Sequence, residues 1–188
     1  MKPILTILIP TLEDRKQYFY NLIEQLREQQ CEELAVLSAS DNREITTGAK
    51  RNALIDMCQT EWCVFIDDDD QIASDYVEQH LNILRNKPQT DAIGFKGTIW
   101  TNGSQPHEFI HQHGNEYKED KSSGVVKYLR PIMHINCVRT SIARQIRYPD
   151  LTFAEDFDYG NKLAQSGLIK NAEFINKTMY HYLYRSNK

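Results

Sequence analysis

Short apolar runs alternate with segments of helical periodicity through the first half of the chain. The runs at residues 4–9, 34–38, 62–66 and 92–100 predict buried β-strands. Apolar residues three and four positions apart predict helices over residues 14–30, from Gly48 onwards, and from an N-cap at Ser74 to a stop before Pro88. This alternation predicts an α/β fold, a mixed, mostly parallel sheet flanked by helices.

The predicted helices each have an apolar face. The residues expected on these faces are Tyr18, Leu22, Ile23 and Leu26 in the first helix, Ala49, Ala53, Leu54 and Met57 in the second, and Val77, Leu81 and Leu84 in the third.

The second half of the chain is less regular. Residues 101–124 are polar and glycine-bearing, which predicts a functional loop or lid, and residues 125–137 return to strand-like alternation. A short helix is expected over residues 141–146, a longer one from Glu155 to a stop at Gly167, and two strands over residues 168–185. With no repeat or linker, residues 1–188 read as one domain.

Composition restricts the class of protein. Forty per cent of the 188 residues are hydrophobic, yet no apolar stretch approaches the roughly 20 residues that cross a bilayer. The first apolar run is too short for a signal peptide. The four cysteines form no CxxC pair, which predicts reduced thiols in a cytoplasmic protein, free or peripheral to a membrane. A net charge of -4 without a basic stripe argues against a nucleic-acid partner.

Two acidic clusters carry the candidate chemistry. Asp67 to Asp70 directly follow the predicted strand at residues 62–66, where open sheets bind ligands. Carboxylates about 4 Å apart repel by roughly 4 kcal/mol at an effective dielectric of about 20, so a hard cation such as Mg²⁺ or Mn²⁺ is expected there; a solvated acidic turn is the alternative. The second cluster, Glu155 to Asp158, opens a helix, where carboxylates also compensate the helix dipole.

Four segments together resemble a family 2 glycosyltransferase with the GT-A (Rossmann-like) fold. They are Ile7 to Thr11, Lys50 to Ala53, Phe65 to Asp70, and Glu155-Asp156, in that order. The resemblance implies a nucleotide-sugar-binding half over residues 1–90 and an acceptor and catalytic half over residues 91–188. A noncatalytic module that binds a nucleotide or divalent cation, and a phosphohydrolase, are the alternative functions.

The resemblance assigns roles to individual residues on the donor side. Asp67 and Asp69 match the DxD motif, with Asp67 toward the ribose or metal and Asp69 as a ligand of Mn²⁺ or Mg²⁺. Other residues expected around the nucleotide, diphosphate or metal are Pro10, Thr11, Asp41, Arg51, Asp68 and His181. An ordinary Asx turn is an equal interpretation of Asp41, and packing in an aromatic strand is the alternative for His181.

On the acceptor side, Asp156 matches the general base of an inverting transfer and Glu155 is the second candidate. The donor implied first is a UDP-sugar, and the acceptor is a saccharide or another hydroxyl compound. His107, His111 and His113 fit either an acceptor loop or a solvated surface, and His134 faces either the acceptor site or the core.

Overall fold

A computed structural model describes residues 2–122 and 126–185. Its strands are β1 (Leu5–Leu12), β2 (Leu34–Asp41), β3 (Trp62–Phe65), β4 (Gln71–Ile72), β5 (Ala92–Thr101), β6 (His107–His111), β7 (Lys118–Asp120), β8 (Lys127–Arg130), β9 (Cys137–Arg139) and β10 (Ala172–Tyr184). A short 3-10 helix (Glu13–Arg15) precedes α1 (Lys16–Arg27), and the other helices are α2 (Thr47–Met57), α3 (Tyr76–Asn86), α4 (Thr140–Ile146) and α5 (Glu155–Gln165).

The described strands form one mixed sheet in which β1 lies between β2 and β3. These three strands are parallel, so their carboxyl ends meet at one edge, with Leu12 beside Asp41 and Leu8 beside Phe65. Beyond β3 the order is β9, β5, β6, β8 and β7, and the long strand β10 runs parallel to β5 and pairs with β4. The α/β fold predicted from the alternating pattern is confirmed.

Alternation along β1 builds two hydrophobic clusters. Leu5, Ile7 and Ile9 belong to a cluster that includes residues of α1 and α3, whereas Leu8 belongs to one that includes residues of α2, α4 and α5. This division follows from the two-residue period of a strand, which sends successive side chains to opposite faces. Strand β1, at the centre of the parallel part of the sheet, is therefore covered on both faces, as parallel strands require.

Three predictions for the second half are wrong. Residues 101–124 are not one loop, because β6 pairs with β5 and β7 pairs with β8. Residues 125–137 contain only the short strand β8 and the start of β9, and residues 123–125 lie outside the described part. Residues 168–185 contain a single strand, β10, because it continues along β5 through the register irregularities between Ile175 and Tyr180.

Helix faces also differ from the prediction. Tyr18 is 37% exposed and Phe19 packs against the core instead. Helix α2 exposes Ala53 and Met57, while its buried residues include the charged Lys50 and Arg51. Lys50 and Arg51 point into the protein because they pair with buried or partly buried carboxylates there. Hydrophobic periodicity cannot detect such pairs. Helix α3 is preceded by Asp75, not Ser74, as its N-cap residue.

His80 makes stability depend on pH. It is fully buried in α3, its ring lies 4.3 Å from that of Tyr76, and its Nδ1 is 2.8 Å from the Tyr76 carbonyl oxygen. Burial lowers the pKa of His80 to about 4. The unfolded chain therefore takes up this proton at a higher pH than the folded protein, and stability is lost as the pH falls from about 6.5 to 4.

We expect His80→Phe to reduce this acid sensitivity. Between pH 7 and pH 4 the free energy of unfolding of the wild type should fall by roughly 3 kcal/mol more than that of the variant, because each pH unit between the unfolded and folded pKa values of His80 contributes about 1.4 kcal/mol. Urea titrations at several pH values measure the difference. Parallel pH profiles of the two proteins would contradict this account of His80.

Candidate functional site

The acidic turn after β3 is not a solvated surface turn. Asp68, Asp69 and Asp70 are buried, with relative exposures of 3%, 9% and 3%. The side chain of Asp67 is 25% exposed and faces a cavity. The turn lies at the carboxyl ends of the parallel strands β1, β2 and β3, so its carboxylates must be offset by cations from neighbouring elements.

Arg51 of α2 forms ion pairs with two carboxylates. Its Nη2 donates to Asp67 Oδ1 at 2.8 Å, and its Nε lies 3.4 Å from Glu155 Oε1 at the start of α5. The rings of Phe65 and Tyr148 lie 5.0 and 5.7 Å from the guanidinium carbon. Although burial favours the neutral acid, the charge of Arg51 holds the pKa of Asp67 well below its usual range. Burial raises the pKa of Glu155.

Arg15 and Thr11 hold the next two aspartates. Arg15 Nη2 lies 2.6 Å from Asp68 Oδ1 and 2.9 Å from Asp69 Oδ2. The hydroxyl of Thr11, at the end of β1, donates to Asp68 Oδ2 at 2.6 Å. Asp68 therefore ties the acidic turn to β1, and Arg15 is a cation of the site that sequence reasoning missed. The one feature of the sequence that could have indicated Arg15 is its position shortly after the first predicted strand.

Asp70 joins the turn to β10. It accepts hydrogen bonds from the Tyr180 hydroxyl and the Leu183 amide, both at 2.8 Å. Burial and the neighbouring charge of Asp67 raise the pKa of Asp70 to about 8. The charged form of Asp70 is therefore disfavoured by its buried position beside Asp67.

The predicted nucleotide residues line the carboxyl end of β1 and β2. Thr11 borders a small cavity of about 130 Å³ together with Ser38, Ser40 and the aromatic rings of α1. Pro10 lies beside Ala39 in the register of the two strands. The carboxylate of Asp41 binds Lys50 Nζ and accepts from the Ile45 amide at 3.0 Å. Although desolvation raises the pKa of Asp41, the hydrogen bond from Lys50 lowers it below its ordinary value.

His134 connects the two acidic clusters. It lies between β8 and β9, and its Nε2 is 3.3 Å from Asp67 Oδ2 while its Nδ1 is 3.8 Å from Asp156 Oδ2. The His134 carbonyl accepts from the Phe65 amide, which fixes this segment beside the end of β3. The sequence left open whether His134 faces the acceptor site or the core. The structure places it at the cavity.

A cavity of about 550 Å³ brings both clusters together. Asp67, His134, Glu155 and Asp156 all line it. Asp156 keeps 36% of its side chain exposed, whereas Glu155 is buried against Arg51. The geometry thus joins residues about 90 positions apart in the sequence. Of the two acidic residues that open α5, Asp156 is the one whose carboxylate is accessible to a ligand in the cavity.

The predicted metal ligands do not form a preassembled group. Among the described residues, no cluster of three or more His, Cys, Asp or Glu side chains is arranged to hold a metal ion. His181 Nδ1 pairs with Thr98 Oγ1 at 2.7 Å, which is typical of packing in the sheet. Asp67 and Asp69 still offer the carboxylate oxygens that Mg²⁺ or Mn²⁺ takes when substrate phosphates and water complete its coordination.

Of the three predicted acceptor-side histidines, one lines the cavity. His111 is buried there, with Nδ1 2.9 Å from Asn136 Oδ1, and burial lowers its pKa to about 3. His107 packs on Tyr128 with ring centroids 6.0 Å apart, and His113 is exposed.

Removal of Arg51 should destabilise the protein in a pH-dependent way. We expect Arg51→Gln to lower the free energy of unfolding by about 3–5 kcal/mol at pH 8, because Asp67 and Glu155 would be left buried without their cation. The loss should be smaller at pH 5, where those carboxylates can take up protons. Denaturant titrations at both pH values measure it.

Arg85→Gln is the matched control. Arg85 pairs with Glu33 and Glu78 at the surface, so its loss should cost less than about 1 kcal/mol. Equal losses for the two variants would mean that the buried pairs of Arg51 contribute no more than a surface pair.

Comparison with solved structures finds the same fold in S. aureus TarS. The structure of TarS 1-349 in complex with UDP-GlcNAc matches with a TM-score of 0.70 and 16% identity, over 100% of this chain and 60% of that chain. TarS 1-349 in complex with UDP matches with a TM-score of 0.69 and 17% identity, over 98% of this chain and 61% of that chain. This chain therefore spans about 60% of the length of those two chains.

Sequence comparisons give the family. Curated proteins yield no significant match to this chain. None of the described helices has the length and apolar character needed to cross a membrane. The family model of glycosyl transferase family 2 matches residues 37–145, more than half of the chain, a stretch that contains Arg51, the acidic turn and His134. With this match and a GT-A fold around the acidic turn, the chain belongs to glycosyl transferase family 2.

Proposed function

We propose that this domain transfers a sugar from a nucleotide-diphosphate sugar to an acceptor hydroxyl, with inversion at the anomeric carbon. The observation that carries the proposal is that Asp67 and Asp156 face one cavity and are joined through His134. An inverting displacement needs a leaving-group site and a general base around the same reacting carbon, and this cavity supplies a carboxylate for each.

The donor would bind along the carboxyl ends of β1, β2 and β3. Pro10, Thr11 and Asp41 border this edge, and Arg51 and Asp67 lie where it meets the cavity. The TarS structures were solved with UDP-GlcNAc and UDP, so a UDP-sugar is the first donor to test. When bound by Asp67 and Asp69, Mn²⁺ or Mg²⁺ would supply positive charge to the departing diphosphate.

Asp156 is the proposed general base and Glu155 is a positioning residue. Glu155 is paired with Arg51. Asp156, at the amino end of α5, has a partly exposed side chain that a ligand in the cavity can contact. The proton of the acceptor hydroxyl would pass to Asp156 as the oxygen attacks. His134 lies beside the Asp156 carboxylate, with Nδ1 3.8 Å from Oδ2. The halves at residues 1–90 and 91–188 would bind donor and acceptor, respectively, and four unpaired cysteines support a cytoplasmic location.

Donor binding should raise the melting temperature. We expect UDP or a UDP-sugar with Mn²⁺ to stabilise the protein by about 2.7 kcal/mol at a concentration of 100 Kd, because the ligand binds only the folded state. Thermal-shift measurements with UDP-, GDP-, CDP- and TDP-sugars, each with and without Mn²⁺, test the donor and the metal separately. No response of the folded protein to any pair would contradict the proposal.

Asp156→Asn should abolish transfer while leaving donor binding intact. Loss of a general base typically costs 10²–10⁴-fold in rate, so nucleotide release in the presence of a panel of acceptor glycosides should fall by at least about 100-fold. Asp158→Asn is the control, because Asp158 lies in the same helical turn but pairs with Lys162 outside the cavity. If Asp156→Asn kept full turnover, the general base would be another group. If the wild type and the variant both bound the donor normally but showed equal, negligible turnover, a noncatalytic module would be favoured.

A further inference from the structure

Within the described part of the chain, Arg130 is a cation of the cavity wall without an ion-paired carboxylate. It ends β8 and lines the same cavity as Asp156. Arg15 and Arg51 each pair with two carboxylates of the acidic clusters, but among residues 2–122 and 126–185 no Asp or Glu forms an ion pair with Arg130. A guanidinium keeps its charge at any physiological pH, so Arg130 brings a positive charge to this wall of the cavity.

The side chain of Arg130 is fixed in position. Its guanidinium carbon lies 5.3 Å from the ring centroid of Tyr117 and 5.1 Å from that of Tyr128. Its Nη1 donates to the carbonyl oxygens of Leu129 at 2.8 Å and Lys118 at 3.4 Å. These contacts engage one nitrogen, and Nε and Nη2 remain available for the paired donation that carboxylates and phosphates accept.

Aromatic rings connect this cation to the proposed base. The ring of Phe157, the residue after Asp156, lies 4.7 Å from that of Tyr117, and Phe157 is 50% exposed. Burial and the charge of Asp156 raise the pKa of Tyr117 to about 12, while the charge of Arg130 lowers it. Arg130 and Asp156 line the same cavity, so a ligand that extends through it can contact both.

We propose that Arg130 binds an anionic group of the acceptor, a phosphate or a carboxylate, and so makes this site selective for acidic over neutral saccharides. This inference rests on the proposed transferase function, because it names the substrate class of the same cavity. The anion lies at the Arg130 end, and the attacking hydroxyl lies at Asp156. Separation of the two ends keeps the acceptor's charge away from the carboxylate that takes the proton.

Calorimetric titration of the protein saturated with UDP and Mn²⁺ tests the proposal without turnover. The probes are glucose, glucose 6-phosphate, glucuronate and inorganic phosphate, so the two anion types and the neutral sugar are compared directly. We expect at least one of the anionic sugars to bind about tenfold or more tightly than glucose, and Arg130→Gln to remove that preference. Comparison of the phosphate and carboxylate probes shows which anion the site prefers.

Lys127→Gln is the matched control, because it removes one positive charge from the same strand at a residue that pairs with Glu108 outside the cavity. It should bind all probes as the wild type does, and Arg130→Lys should keep part of the preference. Three results would overturn the proposal. The protein could bind glucose and both anionic sugars equally, it could bind no anion, or Arg130→Gln and Lys127→Gln could lose the preference for anionic sugars to the same extent. Weaker binding of UDP by Arg130→Gln, with unchanged anion binding, would assign Arg130 to the donor instead.

Failure of the transferase function would be recognised separately. If UDP does not bind the wild type, the anion titrations are made on the protein alone. An Arg130-dependent preference for anions would then stand as a binding property of this cavity, while the assignment of those anions as acceptors would fall.

Discussion

One buried guanidinium organises the centre of this protein. Arg51 lies between Asp67, which follows β3, and Glu155, which opens α5 and is 104 residues after Arg51 in the chain. Two carboxylates in a buried position require a cation, so the end of the sheet and the start of α5 are held together by the same charge. This constraint also explains why α2 buries charged side chains that an amphipathic helix would ordinarily expose.

The position of Asp156 is a consequence of that arrangement. Glu155 is paired with Arg51, and Asp156, the next residue, has its carboxylate at the cavity. His134 lies between the carboxylates of Asp156 and Asp67. Adjacent acidic residues thus differ in role because their surroundings differ. The first maintains the architecture, and the second is accessible to a ligand.

The four consecutive aspartates are likewise not equivalent. Asp67 faces the cavity, Asp68 and Asp69 pair with Arg15, and Asp70 accepts a hydrogen bond from Tyr180. A single block of charge in the sequence is divided among β1, α2 and β10 in the fold. On the far side of the cavity, the strands β6 to β8 supply Arg130 and its tyrosine neighbours, which the sequence presented as a loop followed by an alternating strand.

The sequence by itself determined the elements of the first half, the acidic turn at the end of β3, the α/β class and the resemblance to the family, because apolar runs, helical periods and short motifs are local properties. The assignment of the catalytic pair and the donor residues came from the motifs and stays a prediction. Only the tertiary structure decided which charges meet: Arg15 with Asp68 and Asp69, Arg51 with Glu155, and His134 with both acidic clusters. It also decided that two strands, β6 and β7, form within residues 101–122 and that β10 is continuous. These features depend on partners distant in the chain, and neither hydrophobic period nor residue spacing encodes which distant carboxylate a buried cation will reach.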